Sequence, residues 1–103
     1  MCLAMHAPHP PSTCARLLRV LAEPTRLEVL RRLLQSPAHV SVLLGALEVD
    51  QTLLSHHLGV LRDAGLVEAE REGRSVLYRI AAGAAVQGHR ETIDLGCCRL
   101  TFH

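Results

Sequence analysis

In the second half of the chain, the spacing of the apolar side chains changes from that of a helix to that of a strand. Leu54, Leu58 and Leu61 recur at i, i+4 and i+7, which places them on one face of a helix. Gly65 follows, a residue typical of the position just past a helix end. The pattern therefore predicts a helix over residues 51–64 that turns one apolar face toward a core.

The residues after this helix alternate between the two sides of an extended chain. The segments 66–71 and 75–80 flank the sequence Glu72-Gly73-Arg74, a favourable turn. In the second segment, Val76, Tyr78 and Ile80 alternate with Leu77 and Arg79. We therefore predict an antiparallel β-hairpin directly after the helix.

Further helices are predicted upstream of this pair. The first begins at Ser12 or Thr13, and two more cover residues 25–35 and 41–47. Helix 51–64 and the hairpin complete the pattern. The fold class is therefore mainly α with a β-hairpin wing (α+β), a winged helix-turn-helix.

The chain divides into three parts. Residues 1–11 contain three prolines and little to pack, and they are predicted to form a disordered arm; residues 12–80 form the winged domain. Residues 81–103 form a tail with a cysteine pair, assigned to dimerisation or sensing. Its glycines oppose a long helix, and residues 92–102 are either a strand or an irregular arm.

Composition limits the classes of protein that fit. A domain of 103 residues buries a limited share of its surface, so we expect a homodimer. The net charge of +1 argues neither for nor against binding to DNA. All eleven basic residues are arginines, which reflects either phosphate recognition or codon bias. The sequence contains neither a phosphate-binding glycine loop nor a His-Glu-x-x-His motif. We therefore do not expect an enzyme.

The expected location follows from what the sequence lacks. No apolar run approaches the ~20 residues that span a membrane, and residues 1–11 do not resemble a secretory signal. We therefore predict a cytoplasmic protein with no membrane partner. In a reducing compartment, its four cysteines are expected to be thiols or metal ligands rather than structural disulfides.

Short polar side chains occupy the face of helix 51–64 opposite its leucines. A recognition helix presents such residues to base edges in the major groove, and a basic hairpin tip can reach the backbone or the minor groove. An ordinary solvated face would have the same polarity. The candidates for contact with double-stranded operator DNA are Gln51, Thr52, Ser55, His56, Arg62, Arg71 and Arg74.

Two stretches resemble a known family. LAEPTRLEVLRRLLQS (residues 21–36) and DQTLLSHHLGVLRDAGLVEAEREGRSVLYRI (residues 50–80) are similar to the second helix, recognition helix and wing of the ArsR/SmtB family of winged-helix transcriptional repressors. The resemblance implies a homodimer that occupies an operator and releases it when an inducer binds. By position, it implies that Gln51, Thr52, Ser55 and His56 contact DNA.

The commonest metal sites of that family are absent from this sequence. Where many members carry Cys-x-Cys in the third helix, this chain has His39-Val40-Ser41. After the wing there is no Asp-x-His, and His89 and His103 stand alone. An inducer site must therefore be sought among the cysteines.

Cys97 and Cys98 are adjacent, so their Cα atoms are about 3.8 Å apart, too close for a relaxed disulfide between them. They can instead ligate a soft ion such as As(III), Cd(II), Pb(II), Hg(II), Cu(I) or Zn(II). Cys14 is the candidate third ligand, from the same chain or across a dimer, because family dimers pack the first helix against the C-terminal segment.

Other interpretations of the same residues remain open. The cysteines can form a thiol-redox or persulfide sensor, in which Cys14 crosslinks to Cys97 or Cys98 on oxidation. They can equally be small buried apolar residues. In a different class of function, the winged helix is a protein-interaction module that does not bind DNA.

Overall fold

A computed structural model describes residues 11–103, with the side chain of Pro11 excepted. Most of the predicted arm, including Cys2, lies outside these residues, and Pro11 begins the first helix. The elements are α1 (Pro11–Leu21), α2 (Pro24–Gln35), β1 (Ala38–His39), α3 (Val40–Leu47), α4 (Gln51–Asp63), β2 (Val67–Glu72), β3 (Ser75–Ile80), β4 (Ala85–Val86), β5 (His89–Asp94) and β6 (Arg99–Thr101). The predicted winged helix-turn-helix is confirmed.

The helix boundaries follow from local chemistry. The Glu23 side chain caps α2 by accepting a hydrogen bond from Arg26 N at 2.9 Å, and Pro24 occupies the first turn, where no N–H is needed. Glu28 pairs with Arg32, one helical turn later, at 2.9 Å. Hydrogen bonding to Arg31, with a smaller contribution from Arg32, holds the pKa of Glu28 below its usual value.

The turn between α3 and α4 directs the second helix away from the first. Glu48 adopts a left-handed backbone with φ of 55°, which ends α3. Two residues later, the Asp50 side chain accepts a hydrogen bond from Leu53 N at 2.8 Å and starts α4. This is the tight turn and cap expected of a helix-turn-helix.

The wing differs from the prediction in its turn. Glu72 pairs with Ser75, so the turn has two central residues, and Gly73 takes a positive φ of 62° that favours glycine. Glu72, predicted to lie in the turn, is therefore the last residue of β2. A strand that it did not predict, β1, adds to the other side of β3 by pairing Ala38 with Tyr78.

The tail forms a second antiparallel sheet in the order β4-β5-β6. Ile93 is fully buried and Leu95 is nearly so, and both join the core formed by α2, α4 and the wing. Arg90 Nη2 donates to Gln35 O at 2.7 Å, which fixes β5 to the end of α2. Of the two alternatives for residues 92–102, the strand is therefore observed, and the tail shares the core of the winged domain.

The core is built from aliphatic side chains. Its fully buried members include the predicted α4 leucines and residues of α2, α3 and the two sheets: Leu54, Leu58, Leu61, Val29, Leu30, Leu43, Val67 and Ile93. Within residues 11–103, no helix is long and apolar enough to cross a membrane.

Candidate nucleic-acid interface and cysteine cluster

The predicted DNA-contacting residues of α4 all lie on its exposed surface. Gln51, Thr52 and Ser55 occupy the first turns, followed by His56, while Leu54 between them is fully buried. The Asp50 cap fixes where this face begins. Arg62 is exposed near the other end of α4, eleven residues or about 16 Å beyond Gln51.

The fold brings the start of α4 and the wing tip together. Gln51 and Ser55 line one concavity of about 370 Å³ with Arg74 of the wing turn and Ser41 of α3. Arg71 is exposed on β2, opposite Val76. Two of the predicted helix residues and one predicted wing arginine therefore share a surface, whereas Arg62 lies outside that concavity.

Sequence reasoning missed two residues at this surface. His39 Nε2 lies 2.8 Å from Glu72 Oε1, so the start of α3 is tied to the wing. The only sequence signal was the position of His39 before an apolar run, because a two-residue strand has no periodicity. Leu53 is 42% exposed beside Gln51, Thr52 and His56, and a pattern of polar residues gives no signal for an exposed leucine.

The three candidate cysteines lie close together in space, although Cys14 is far from the other two in sequence. Cys14 of α1 and Cys97 form a disulfide with a Cα–Cα separation of 6.0 Å across 83 positions of sequence. The Cys98 Sγ lies 3.9 Å from the sulfur of each partner and is exposed. The disulfide departs from the expectation that the cysteines would be thiols or metal ligands, and it joins the pair named for the oxidised state.

The turn between β5 and β6 presents two of these sulfurs. Asp94 Oδ1 accepts a hydrogen bond from Gly96 N at 2.8 Å, and Leu95 N donates to Cys98 O at 2.8 Å. Gly96 has a φ of 90°, a conformation that glycine adopts readily. This tight turn places Cys97 and Cys98 against α1, where Cys14 lies.

The donor set of the cluster fits a soft ion when the disulfide is reduced. The three Sγ atoms lie within 4.8 Å of one another, and they form a possible ligand group without a His, Asp or Glu among the described residues. Thiolates are the preferred ligands of soft ions, whereas the two sulfurs of a disulfide are not thiolates. All three come from one chain, so the arrangement does not need a ligand from across a dimer.

Comparison with known proteins places this architecture in a family. Residues 23–69 match the family model described as bacterial regulatory protein, arsR family. HlyU from Vibrio cholerae is 35% identical, with a TM-score of 0.66 over 70% of this chain and 78% of that one. The chain belongs to the ArsR family.

Other ArsR-like proteins extend the comparison. The HTH-type transcriptional repressor SmtB of Mycobacterium tuberculosis is 49% identical over 65 residues, which are 63% of this chain and 48% of SmtB. The chain thus spans about half the length of this curated relative. A homodimeric winged helix-turn-helix DNA-binding domain from Mycobacterium bovis is 38% identical, with a TM-score of 0.64 over 69% of this chain and 66% of that one.

The ArsR match covers the helix part of one candidate site and none of the other. Residues 23–69 contain the α4 candidates from Gln51 to Arg62, but the match ends before Arg71 and Arg74 of the wing. Cys14, Cys97 and Cys98 also lie outside it. Features of the matched segment therefore say nothing about what the cysteines bind.

Proposed function

We propose that this ArsR-family chain is a homodimeric transcriptional repressor that binds operator DNA through α4 and the wing. The observation that carries the proposal is the shared surface of Gln51, Ser55 and Arg74, at the capped start of a recognition helix. Polar residues at this end of the helix suit contacts with base edges, and the wing arginine suits a phosphate. Thr52, His56, Arg62 and Arg71 complete the proposed contacts.

Selection of tight-binding duplexes from a random 40-base-pair pool, followed by fluorescence anisotropy, tests DNA binding. Affinity should fall steeply as salt rises, because phosphate contacts release counterions. Arg74→Ala should lower the slope of log K against log salt by about 1. Gln51→Ala should weaken binding to the selected duplex more than binding to a scrambled one. Arg99→Ala, which removes an arginine from the tail, is the matched control. Binding without salt dependence, or none at all, would favour the protein-interaction module.

The proposed homodimer follows from the small size of the domain and from the homodimeric relative of Mycobacterium bovis. Two copies would also match the two half-sites of a palindromic operator. Light scattering coupled to size exclusion measures the mass directly. A mass of one chain at micromolar concentration, with and without DNA, would contradict this part of the proposal.

The proposed inducer is a soft metal or metalloid ion held by the thiolates of Cys14, Cys97 and Cys98. Of the ions that soft thiolates accept, As(III) forms three bonds and is completed by three sulfurs, whereas structural Zn(II) normally takes four protein ligands. Titration of reduced protein with arsenite, Cd(II), Zn(II) and Cu(I), monitored by thiolate absorption and operator binding, tests this. If no ion produces an absorption band or releases DNA, the metal proposal fails.

A second candidate is supported by the disulfide itself. Cys14 and Cys97 are joined, so the same cluster can respond to an oxidant by losing two thiols. A redox-sensing repressor predicts that operator affinity differs between oxidised and reduced protein without any metal. Cys14→Ser should abolish that difference, while Cys98→Ser should retain it.

A further inference from the structure

A partly buried junction connects α1, α2 and the recognition helix α4. The side chain of Arg26, in the first turn of α2, donates from Nη1 to Val20 O of α1 at 3.1 Å. It also donates from Nε to His57 Nδ1 of α4 at 3.0 Å. One guanidinium therefore contacts the end of the first helix and the interior of the recognition helix.

His57 is held firmly from the inner side of α4. It is 5% exposed, although its neighbour His56 faces solvent on the proposed DNA surface. Because an arginine Nε always donates, Nδ1 of His57 must accept, which leaves the ring proton on Nε2. Nε2 faces Glu23 Oε1 at 3.8 Å, and the same oxygen accepts from Arg26 N at 2.9 Å. Arg26 thus bonds to both Glu23 and His57, whereas the 3.8 Å between Glu23 and His57 is too long for a hydrogen bond.

The cysteine cluster lies at the other end of α1 from this junction. Cys14 and Val20 belong to one helix of 11 residues, so they are about 9 Å apart along its axis. An oxidant that takes two electrons and two protons from the thiols of Cys14 and Cys97 forms the bond and attaches this helix to the β5–β6 turn. A dithiol that reduces the bond by thiol–disulfide exchange, and is itself oxidised to a disulfide, releases the helix. A packed helix moves as a body, so a displacement at Cys14 also shifts the carbonyl of Val20.

We propose that Arg26 is the positioning residue that couples the state of the cysteine cluster to the orientation of the recognition helix. The displacement of α1 changes the contact at Val20 O, and Arg26 passes the change to His57 and so to the helix that carries Gln51 and Ser55. The inference rests on two parts of the proposed function: that the cluster senses and that α4 binds DNA. Neither Arg26 nor His57 needs to touch DNA.

Substitution of Arg26 can separate the two contacts. In Arg26→Gln, the amide nitrogen occupies the place of Nε and can still donate to His57, but nothing reaches Val20 O. Arg26→Met, of similar length, lacks both donors. Arg31→Gln is the matched control, because Arg31 lies on the same helix and pairs with Glu28 at the surface.

The first measurement needs no DNA. Hydrogen exchange of the α4 amides is compared between the disulfide form and the phosphine-reduced form of each full-length protein. We expect a difference between the two states in the wild type and in Arg31→Gln, and its loss in Arg26→Gln. Unchanged α4 exchange in the wild type, or a wild-type difference in Arg26→Gln, would overturn the coupling.

The second measurement uses the selected duplex. The ratio of operator Kd values in the two states should be at least about fivefold in the wild type, in the range of typical allosteric couplings, and below about twofold in Arg26→Gln. The disulfide form of Arg26→Gln should bind DNA as the wild type does. A merely structural Arg26 would weaken binding in both states and leave the ratio unchanged, which refutes the proposal. If the wild type shows the exchange difference but does not bind DNA, the proposed function fails and the coupling stands.

Discussion

Asp50 combines two effects at a single residue. Its side chain caps α4, and its negative charge lies beside Gln51, Thr52 and His56 on the surface proposed to meet DNA. Asp50→Ala should lower the free energy of unfolding by about 1 kcal/mol, the usual cost of a lost N-cap. For a domain of this size, that corresponds to a fall in Tm of roughly 4–8 °C.

Asp50→Asn separates the cap from the charge. Asparagine caps helices as well as aspartate does, so the thermal unfolding midpoint should stay near that of the wild type. Operator affinity should rise, because a charge that repels phosphate is removed. If Asp50→Asn and Asp50→Ala reduce Tm equally, the Asp50 cap does not stabilise α4. If Asp50→Asn weakens DNA binding, this end of the helix does not face phosphate.

For single residues, the sequence predicts whether a side chain is exposed better than it predicts which other side chain it contacts. The α4 pattern correctly separated exposed Gln51 and Ser55 from buried Leu54 and Leu58. By helical spacing, His57 falls at the edge of the apolar face, but this spacing cannot show that an arginine 31 positions earlier bonds to its ring. Helical periodicity gives the direction of a side chain, whereas its partner depends on how helices pack.

Among the elements, β5 connects the tail to the winged domain. Ile93 is fully buried against the core, while the side chain of Arg99, on neighbouring β6, is 62% exposed. Ile93→Ala should reduce the free energy of unfolding by about 2–5 kcal/mol, because it leaves a cavity. Arg99→Ala should stay within about 0.5 kcal/mol of the wild type. Urea denaturation gives both values, and equal, small effects would show that β5 is not part of the cooperative core.

The elements that sequence predicted are those with a period. Helices α2 and α4 and the two wing strands have enough residues to show an apolar face. Strand β1 has two residues, and β4 has two, so neither can show alternation. Glycines such as Gly88 and Gly96 correctly predicted that the tail has no long helix. Which strands pair there depends on contacts between residues that the sequence pattern does not connect.

Across the whole molecule, the Cys14–Cys97 bond closes a loop over nearly the entire described chain. The adjacency of Cys97 and Cys98 argues against a relaxed bond between them, but it cannot show which of the two pairs with Cys14. In the chain-entropy model, a loop of this length contributes up to about 4.5 kcal/mol to stability. Reduction should therefore lower Tm markedly in the wild type and in Cys98→Ser, and leave the Tm of Cys14→Ser unchanged.

Arsenite should restore part of the stability lost on reduction, because an ion bound by all three thiolates again connects α1 to the β5–β6 turn. At 100 times its Kd, a ligand that binds only the folded state adds about 2.7 kcal/mol. Cys98→Ser keeps the disulfide but provides two thiolates, so its reduced form should gain much less from the same arsenite concentration. Calorimetry of both proteins, oxidised and reduced, decides the matter: equal gains would show that Cys98 is not a ligand, and no gain in either would leave oxidation of Cys14 and Cys97 as the only chemistry of this cluster.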